Sequence, residues 1–341
     1  VEGHLNSKPK QPALKMKLLI AVLVLAIGLD IAGMVFFFLY MGNQSKLKGI
    51  KKERDVLTSN INQMGNINAF KQGELGEKGA PEREYFVAEI DGTESLYALS
   101  PPMIPQAKEH SYLMLYFHGM GSTYMEPYMA PVDKPIAHAL RERLQSAAFL
   151  SVDYRGKTSW LNDKALADTN QNVRAVLNRY PTEKIIVVGT SMGGASALAY
   201  SFLAAPDIKE KIVGVIACEA AGDLAELFKT TNSKIVQAGL AEALGLPEQN
   251  QAYKRHSLFE RLKDSESKEG LKKIRFAVLS ANQDDVVPVK MQKDIVAALE
   301  KEGIASELIS FDEKHGVPPS SQYLKGLEYI LSAAPVKAET N

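Results

Sequence analysis

Hydrophobic and polar positions change regime twice along the chain. From Leu18 to Met41 the residues are almost all apolar, a stretch about as long as a helix needs to cross the hydrocarbon core of a bilayer. Asp30 interrupts it at a cost of about 3 kcal/mol, while each surrounding Leu, Ile, Val and Phe contributes about −0.3 to −0.6 kcal/mol, so insertion wins. The stretch is long for the core of a cleaved signal and no small-x-small site follows Tyr40, so a single-pass transmembrane anchor over residues 18–41 is predicted. Residues 1–17 read as a polar tail, with Met16 a candidate start of translation. Lys8, Lys10, Lys15 and Lys17 precede the span and Lys46, Lys48, Lys51, Lys52 and Arg54 follow it, so charge leaves the orientation undecided. A start at Met16 would tip the following domain toward the cytoplasm.

Residues 42–81 are polar and charged. Ile50, Val56, Leu57 and Ile61 make only a weak helical stripe, which Gly73, Gly76 and Gly79 break, as expected of a stalk. From Glu82 the period shortens. Glu84–Ile90 and Ser95–Leu99 alternate around Asp91-Gly92, the signature of a β-hairpin with a type I′ turn. Strands are predicted at Tyr112–Phe117, Ala147–Asp153, Lys184–Gly189, Lys211–Cys218, Ile274–Ala281 and Ser306–Phe311. Helices are predicted at Pro135–Ser146, Asp168–Tyr180, from Met192 onward, Lys290–Lys301 and Gln322–Ala333. Such alternation predicts an α/β domain over 82–341: a mostly parallel sheet with helices on both faces. Between Cys218 and Ile274 the pattern lapses into helical pieces such as Asp223–Phe228 and Lys234–Leu244, read as a short helical cap inserted at 219–270.

The 45% hydrophobic content of the 341 residues suffices for a sizeable core. Lys and Arg (40) balance Asp and Glu (40), which removes the electrostatic case for nucleic acid. One cysteine, Cys218, excludes an intramolecular disulfide and a cysteine metal cluster, and its apolar run marks it as a core residue. No His and acid pair stands at ligand spacing and no phosphate loop is present, so neither metal nor organic cofactor is expected.

Candidate chemistry concentrates where strands end. In Gly189-Thr190-Ser191-Met192-Gly193-Gly194 a serine lies at a strand–turn–helix junction between glycines that let strand and helix crowd together. A serine is a poor nucleophile at neutral pH and needs a base, which needs an acid to fix its tautomer. Of six histidines, His4, His110, His138 and His256 lie before the membrane stretch, before a strand, within a helix and in the cap. His118 and His315 remain, and His315, in a loop at the carboxyl end of the last strand, is the expected base. Asp284, after the strand at Ile274–Ala281, is the expected acid. Its rival Asp285 lies nearer the helix at Pro288 and suits capping better. The amides of Met120, in His118-Gly119-Met120-Gly121, and of Met192, at the start of a helix, are placed as donors to an oxyanion, with His118 holding the loop. Leu224, Leu227, Phe228, Leu258 and Phe259 of the cap are candidates for an acyl pocket, although helical spacing of apolar residues favours packing.

The order Ser191, Asp284, His315, with His118-Gly119-Met120-Gly121 and Asp153-Tyr154-Arg155-Gly156 upstream, resembles the α/β-hydrolase family from about Glu82 to Ala334. One departure is Lys157-Thr158-Ser159-Trp160, where many relatives place a glycine and a serine. The resemblance implies a serine hydrolase working by acyl transfer on a small-molecule or lipid-like acyl substrate. Esterase or lipase chemistry is the first expectation. Thioesterase, amidase and peptidase chemistry on the same residues, or a non-catalytic membrane-tethered binding protein, are the alternatives.

Overall fold

The computed structural model describes residues 81–104, 111–180, 182–247 and 251–332. The tail, the anchor predicted at 18–41 and all of the stalk predicted at 42–81 except residue 81 lie outside the described residues. Among the described residues no helix is long and apolar enough to cross a membrane.

Eight strands form one sheet in the order β1-β2-β4-β3-β5-β6-β7-β8. They are β1 (Glu82–Val87), β2 (Glu94–Ser100), β3 (Tyr112–Phe117), β4 (Ala147–Val152), β5 (Lys184–Thr190), β6 (Ile212–Cys218), β7 (Arg275–Gln283) and β8 (Ser306–Lys314). β1 and β2 run antiparallel, and β4 through β8 are parallel to one another and to β3. The central strands read as unbroken apolar runs because both faces are covered. Leu113, Leu115, Phe117, Ile185 and Val187 enter the buried cluster on one face. Their neighbours Met114, Tyr116, Ile186 and Val188 enter the cluster on the other. That division is the two-residue side-chain period of a strand.

On the first face lie α3 (Asp163–Arg179), α4 (Met192–Leu203) and α11 (Val289–Lys301); on the second lie α1 (Glu126–Met129), α2 (Ile136–Arg143) and α12 (Ser320–Leu331). A single turn, α5 (Pro206–Lys209), leads into β6, and α6 (Leu224–Thr230), α7 (Lys234–Leu244), α8 (Gln251–His256), α9 (Leu258–Arg261) and α10 (Ser265–Leu271) fill the insertion before β7. Side-chain oxygens of Asp223, Ser233, Ser257 and Asp264 cap α6, α7, α9 and α10. Leu224, Leu227 and Leu258 belong to the same buried cluster as the sheet, so they pack the insertion onto the domain.

Three expectations are corrected. The hairpin forms, but residues 88–93 connect its strands in place of a two-residue Asp91-Gly92 turn: the Ala88 amide donates to Thr93 O at 2.9 Å, and Asp91 turns outward to Arg155 (2.9 Å) and Lys164 (3.0 Å). Ile90 therefore lies in the loop, exposed. α3 starts at Asp163, ahead of the predicted Asp168, because the Asn162 side chain caps it by accepting from the Ala165 amide at 3.1 Å. β7 and β8 run beyond Ala281 and Phe311, pairing Gln283 with Lys314 after an irregularity in register.

Candidate active site

The site grows from the end of β5. Thr190 is buried and its hydroxyl joins those of Tyr116 (2.8 Å) and Tyr323 (2.6 Å), which fixes the residue before the turn. Ser191 then adopts φ 56° and ψ −116°. A non-glycine residue at positive φ costs about 1–3 kcal/mol and persists only where its surroundings enforce it. Here they do. A Cβ on Gly189 would stand 2.1 Å from Gly193 O and one on Gly193 would stand 2.0 Å from Phe117 O, so the start of α4 lies directly against the ends of β5 and β3. The Ser191 amide donates to Cys218 O at 2.8 Å, which ties the turn to β6 as well.

His315 follows β8 and Asp284 follows β7. The Ser191 hydroxyl donates toward His315 Nε2 at 2.8 Å, and Nδ1 lies 2.9 Å from both carboxylate oxygens of Asp284. Asp284 is held in turn by the amides of Val286 (3.0 Å) and Val287 (2.8 Å) and by Gln292 Nε2 (2.8 Å). The structure thus brings Ser191, His315 and Asp284 into one chain of hydrogen bonds. Asp285 is exposed and caps nothing: Pro288 precedes α11 with no side-chain cap. Burial lowers the pKa of His315, but the hydrogen bond to Asp284 and the charges of Glu219, Asp284 and Asp285 overcome it, and the imidazole titrates above its ordinary value.

His118 is fully buried between Gly119 O (2.8 Å from Nδ1) and Asp153 O (3.4 Å from Nε2), against the Tyr154 ring, and burial drives its pKa down to about 4. It stays neutral and binds the loop after β3 to the loop after β4. The position of a Cβ on Gly119 is 3.5 Å from Thr190 O, so the Met120 loop runs beside the serine turn. Among the described residues no backbone carbonyl outside the regular elements accepts the Met120 or Met192 amide. Met192 is the first residue of α4, where an amide has no partner within the helix. From above, α7 closes on this loop: a Cβ on Gly239 would meet Met120 Sδ at 3.0 Å, and Thr158 donates to Glu242 at 3.1 Å. The segment 157–160 that departs from the usual family sequence is therefore a wall between loop and insertion. Phe228 and Phe259 are half-buried, Phe259 against Gly222.

Two acids escaped the sequence reading. Glu126, in α1, is half-buried and accepts the Gly119 amide on both oxygens (3.0 and 3.1 Å) and the Tyr116 hydroxyl (2.8 Å), bracing the Met120 loop from below. Glu219 directly follows β6 at φ 51°, its side chain wholly buried; it accepts the Gly316 amide at 2.8 Å and lies 3.2 Å from His315 Nδ1. The available signal was positional: Glu219 succeeds an apolar strand as Asp284 does. Ligand-type atoms of Glu219, Asp284 and His315 lie within 4.8 Å of one another. Hydrogen bonds account for the cluster, since Nδ1–H points between two carboxyls that amides already hold. An open groove of about 890 Å³ is lined by Lys164, Arg255, His256 and Arg261 among others and contains none of these residues.

Comparison with known proteins agrees with this architecture. The model of the alpha/beta hydrolase family matches residues 114–296. No curated protein matches the chain. Among solved structures, an acylaminoacyl peptidase of Pyrococcus horikoshii superposes with a TM-score of 0.54 at 13% identity over 76% of this chain, which spans only 42% of that protein. Carboxyl esterase 2 of the fungus Tuber melanosporum gives 0.56 at 17% identity, covering 75% of this chain and 87% of its own. A fluorophosphonate-binding serine hydrolase of Staphylococcus aureus gives 0.54 at 13%, covering 75% and 99%. At these identities the likeness is one of fold.

Proposed function

The chain belongs to the α/β-hydrolase family, and on that premise we propose that it is a serine hydrolase that cleaves a carboxylic ester or related acyl bond through an acyl-enzyme. The single observation that carries the reading is the continuous path from Ser191 Oγ through His315 to Asp284, 2.8 and 2.9 Å long in its two links, on a serine held at positive φ. Ser191 Oγ attacks the acyl carbon while its proton passes to His315 Nε2. Asp284 fixes the tautomer with Nδ1–H and stabilises the imidazolium. The oxygen that becomes negative takes hydrogen bonds from the Met120 and Met192 amides, near the positive end of α4. His315 returns the proton to the leaving group, whose bond to the acyl carbon breaks, and then activates the water that releases the acid and restores Ser191.

The amides, the alcohol leaving group and attachment to a membrane through residues 18–41 are parts of the same proposal. Partitioning of the full-length chain into detergent tests the last of these. The chemistry is tested by treating the full-length chain with a fluorophosphonate and locating the adduct by mass spectrometry. Labelling at Ser191 that Ser191→Ala and His315→Ala each abolish, followed by turnover of short-chain p-nitrophenyl esters, is the expected result. A folded wild-type chain that takes no label at neutral pH would overturn the reading in favour of a binding protein of this fold. Faster turnover of thioesters or aminoacyl amides would move the substrate class while leaving the residues in their roles.

A further inference from the structure

Two carboxyls, not one, converge on the far nitrogen of His315. Asp284 Oδ1 and Oδ2 stand 2.9 Å from Nδ1 and Glu219 Oε2 stands 3.2 Å away. They arrive on different strands and are held independently. Asp284 hangs from the loop after β7 on the Val286 and Val287 amides. Glu219 hangs from the end of β6, its own amide donating to Leu279 O (2.8 Å) and its Oε2 accepting from the Gly316 amide (2.8 Å). The position is a costly one to fill with glutamate, since the backbone is at φ 51° and Oε1 is buried with no partner among the described residues. A role in packing alone gives no reason for a carboxyl there.

We propose that Glu219 is a second acid for the base: a positioning residue that shares Nδ1–H with Asp284 and sustains turnover when Asp284 is neutralised. The inference rests on the serine hydrolase reading for its consequences in turnover, and on geometry alone for its effect on the imidazole. The groups acting on Glu219 are His315 after β8, Glu313 on β8 and Asp284 after β7; Asp285 adds to the field at His315, and Cys218 sits beside Glu219 on β6. All of these but Cys218 and the imidazole are acids, so the imidazole is the group that compensates them. Burial pushes Glu219 up to about 8, with the charge of Asp284 pushing the same way and His315 opposing. Glu219 and His315 are thus coupled: the imidazolium favours the Glu219 carboxylate, and that carboxylate favours the imidazolium. Removing the charge of Asp284 eases ionisation of Glu219, which then accepts Nδ1–H in its place.

The experiment compares the full-length wild type with Glu219→Gln, Asp284→Ala and the double variant. Glutamine keeps an oxygen for the Gly316 amide, so the single variant separates charge from loop bracing. kcat and KM on a p-nitrophenyl ester and the fluorophosphonate labelling rate are followed from pH 5.5 to 9.5, with the imidazole titration of His315 read by NMR. Removal of a lone triad acid costs about 10⁴-fold in kcat. Here Asp284→Ala is expected to lose about a hundredfold or less at little change in KM, and the double variant about 10⁴-fold. In Glu219→Gln the NMR midpoint of His315 and the acidic limb of the rate profile both move to lower pH, because a charge that favours the imidazolium is gone. Asp284→Ala already at the level of the double variant, or an unmoved His315 midpoint in Glu219→Gln, overturns the inference. If Glu219→Gln does not fold, Asp284→Ala alone decides by its magnitude. Failure of the serine hydrolase reading shows separately, as a wild type without label whose His315 midpoint still responds to Glu219.

Discussion

Gly193→Ala tests whether the crowding that sets Ser191 at its strained angle also places the two oxyanion amides. An added Cβ would lie 2.0 Å from Phe117 O, 2.5 Å from Phe117 C and 2.7 Å from His118 O, whereas ordinary contact begins at 3.4 Å, so the backbones must part by roughly 1.4 Å. Every one of these atoms is main chain at the end of β3, where no rotamer change relieves the clash. Overpacking of this kind costs about 1–3 kcal/mol, and a purely backbone clash belongs at the upper end. The same displacement separates the Met120 loop from the start of α4, and loss of one oxyanion donor costs about 10²–10³ in kcat. Denaturant unfolding should therefore show about 3 kcal/mol of destabilisation, and the labelling rate of the still-folded fraction should fall about a hundredfold. Gly270→Ala is the matched control: nothing lies within 4 Å of its added Cβ, and alanine in α10 gains up to about 1 kcal/mol. A Gly193→Ala variant within about 0.5 kcal/mol and threefold of wild type would refute the link between the glycine contact and the oxyanion geometry.

Other consequences are open to the same assays. Since the folded environment raises the pKa of His315 and only the neutral imidazole accepts the Ser191 proton, the labelling rate should fall as pH drops, with its midpoint above 6.5. A midpoint at or below 6.5 would contradict the cluster of acids around Nδ1. Arg155 pairs with Asp168, whose side chain is 1% exposed, so Arg155→Ala strands a buried carboxylate and should cost about 3–5 kcal/mol. Adding Asp168→Ala should restore part of that stability in the double variant, and an additive loss would sink the explanation. Glu126→Ala removes the acceptor for the Gly119 amide and the Tyr116 hydroxyl, at about 1–3 kcal/mol for each orphaned donor, and should slow labelling without altering its pH midpoint. Unchanged stability would show that Glu126 does not brace the loop.

Much of the site was legible because each of its chemical residues terminates a hydrophobic run. Ser191 follows β5, Asp284 and His315 follow β7 and β8, and the loops at strand ends are where an open α/β sheet gathers its chemistry. Glycines at 189 and 193 announced a backbone approach that the structure shows at close range. Glu219 shares that position after an apolar run, but position alone does not tell it from a structural residue. Its meaning depends on β6 lying between β5 and β7, and strand order is a tertiary fact that no local pattern carries. Glu126 sits in a single helical turn after Met125 and acts on a loop seven residues earlier in the chain; neither periodicity nor composition marks it. The early start of α3 is legible in Asn162 followed by Asp163, a cap with an acid in the first turn.

The register of the sheet explains how groups so far apart in sequence reach one imidazole. Thr190 pairs with Cys218, and Cys218 with Leu279, so Ser191 and Glu219 leave adjacent strands at the same level of the sheet. β7 and β8 do not stop there. They remain paired through Ala281 with Phe311 and, after the irregularity, through Gln283 with Lys314. This extension carries Asp284 and His315 past the level at which β5 and β6 end, and the irregularity re-aims them, as extra residues in a paired strand do. Serine and the buried glutamate are thus set by strand ends, whereas acid and base are set by an overhang. A two-residue deletion that shortened both strands together would keep the sheet and its pairing yet withdraw Asp284 and His315 from Ser191, leaving Glu219 in place with no base to hold.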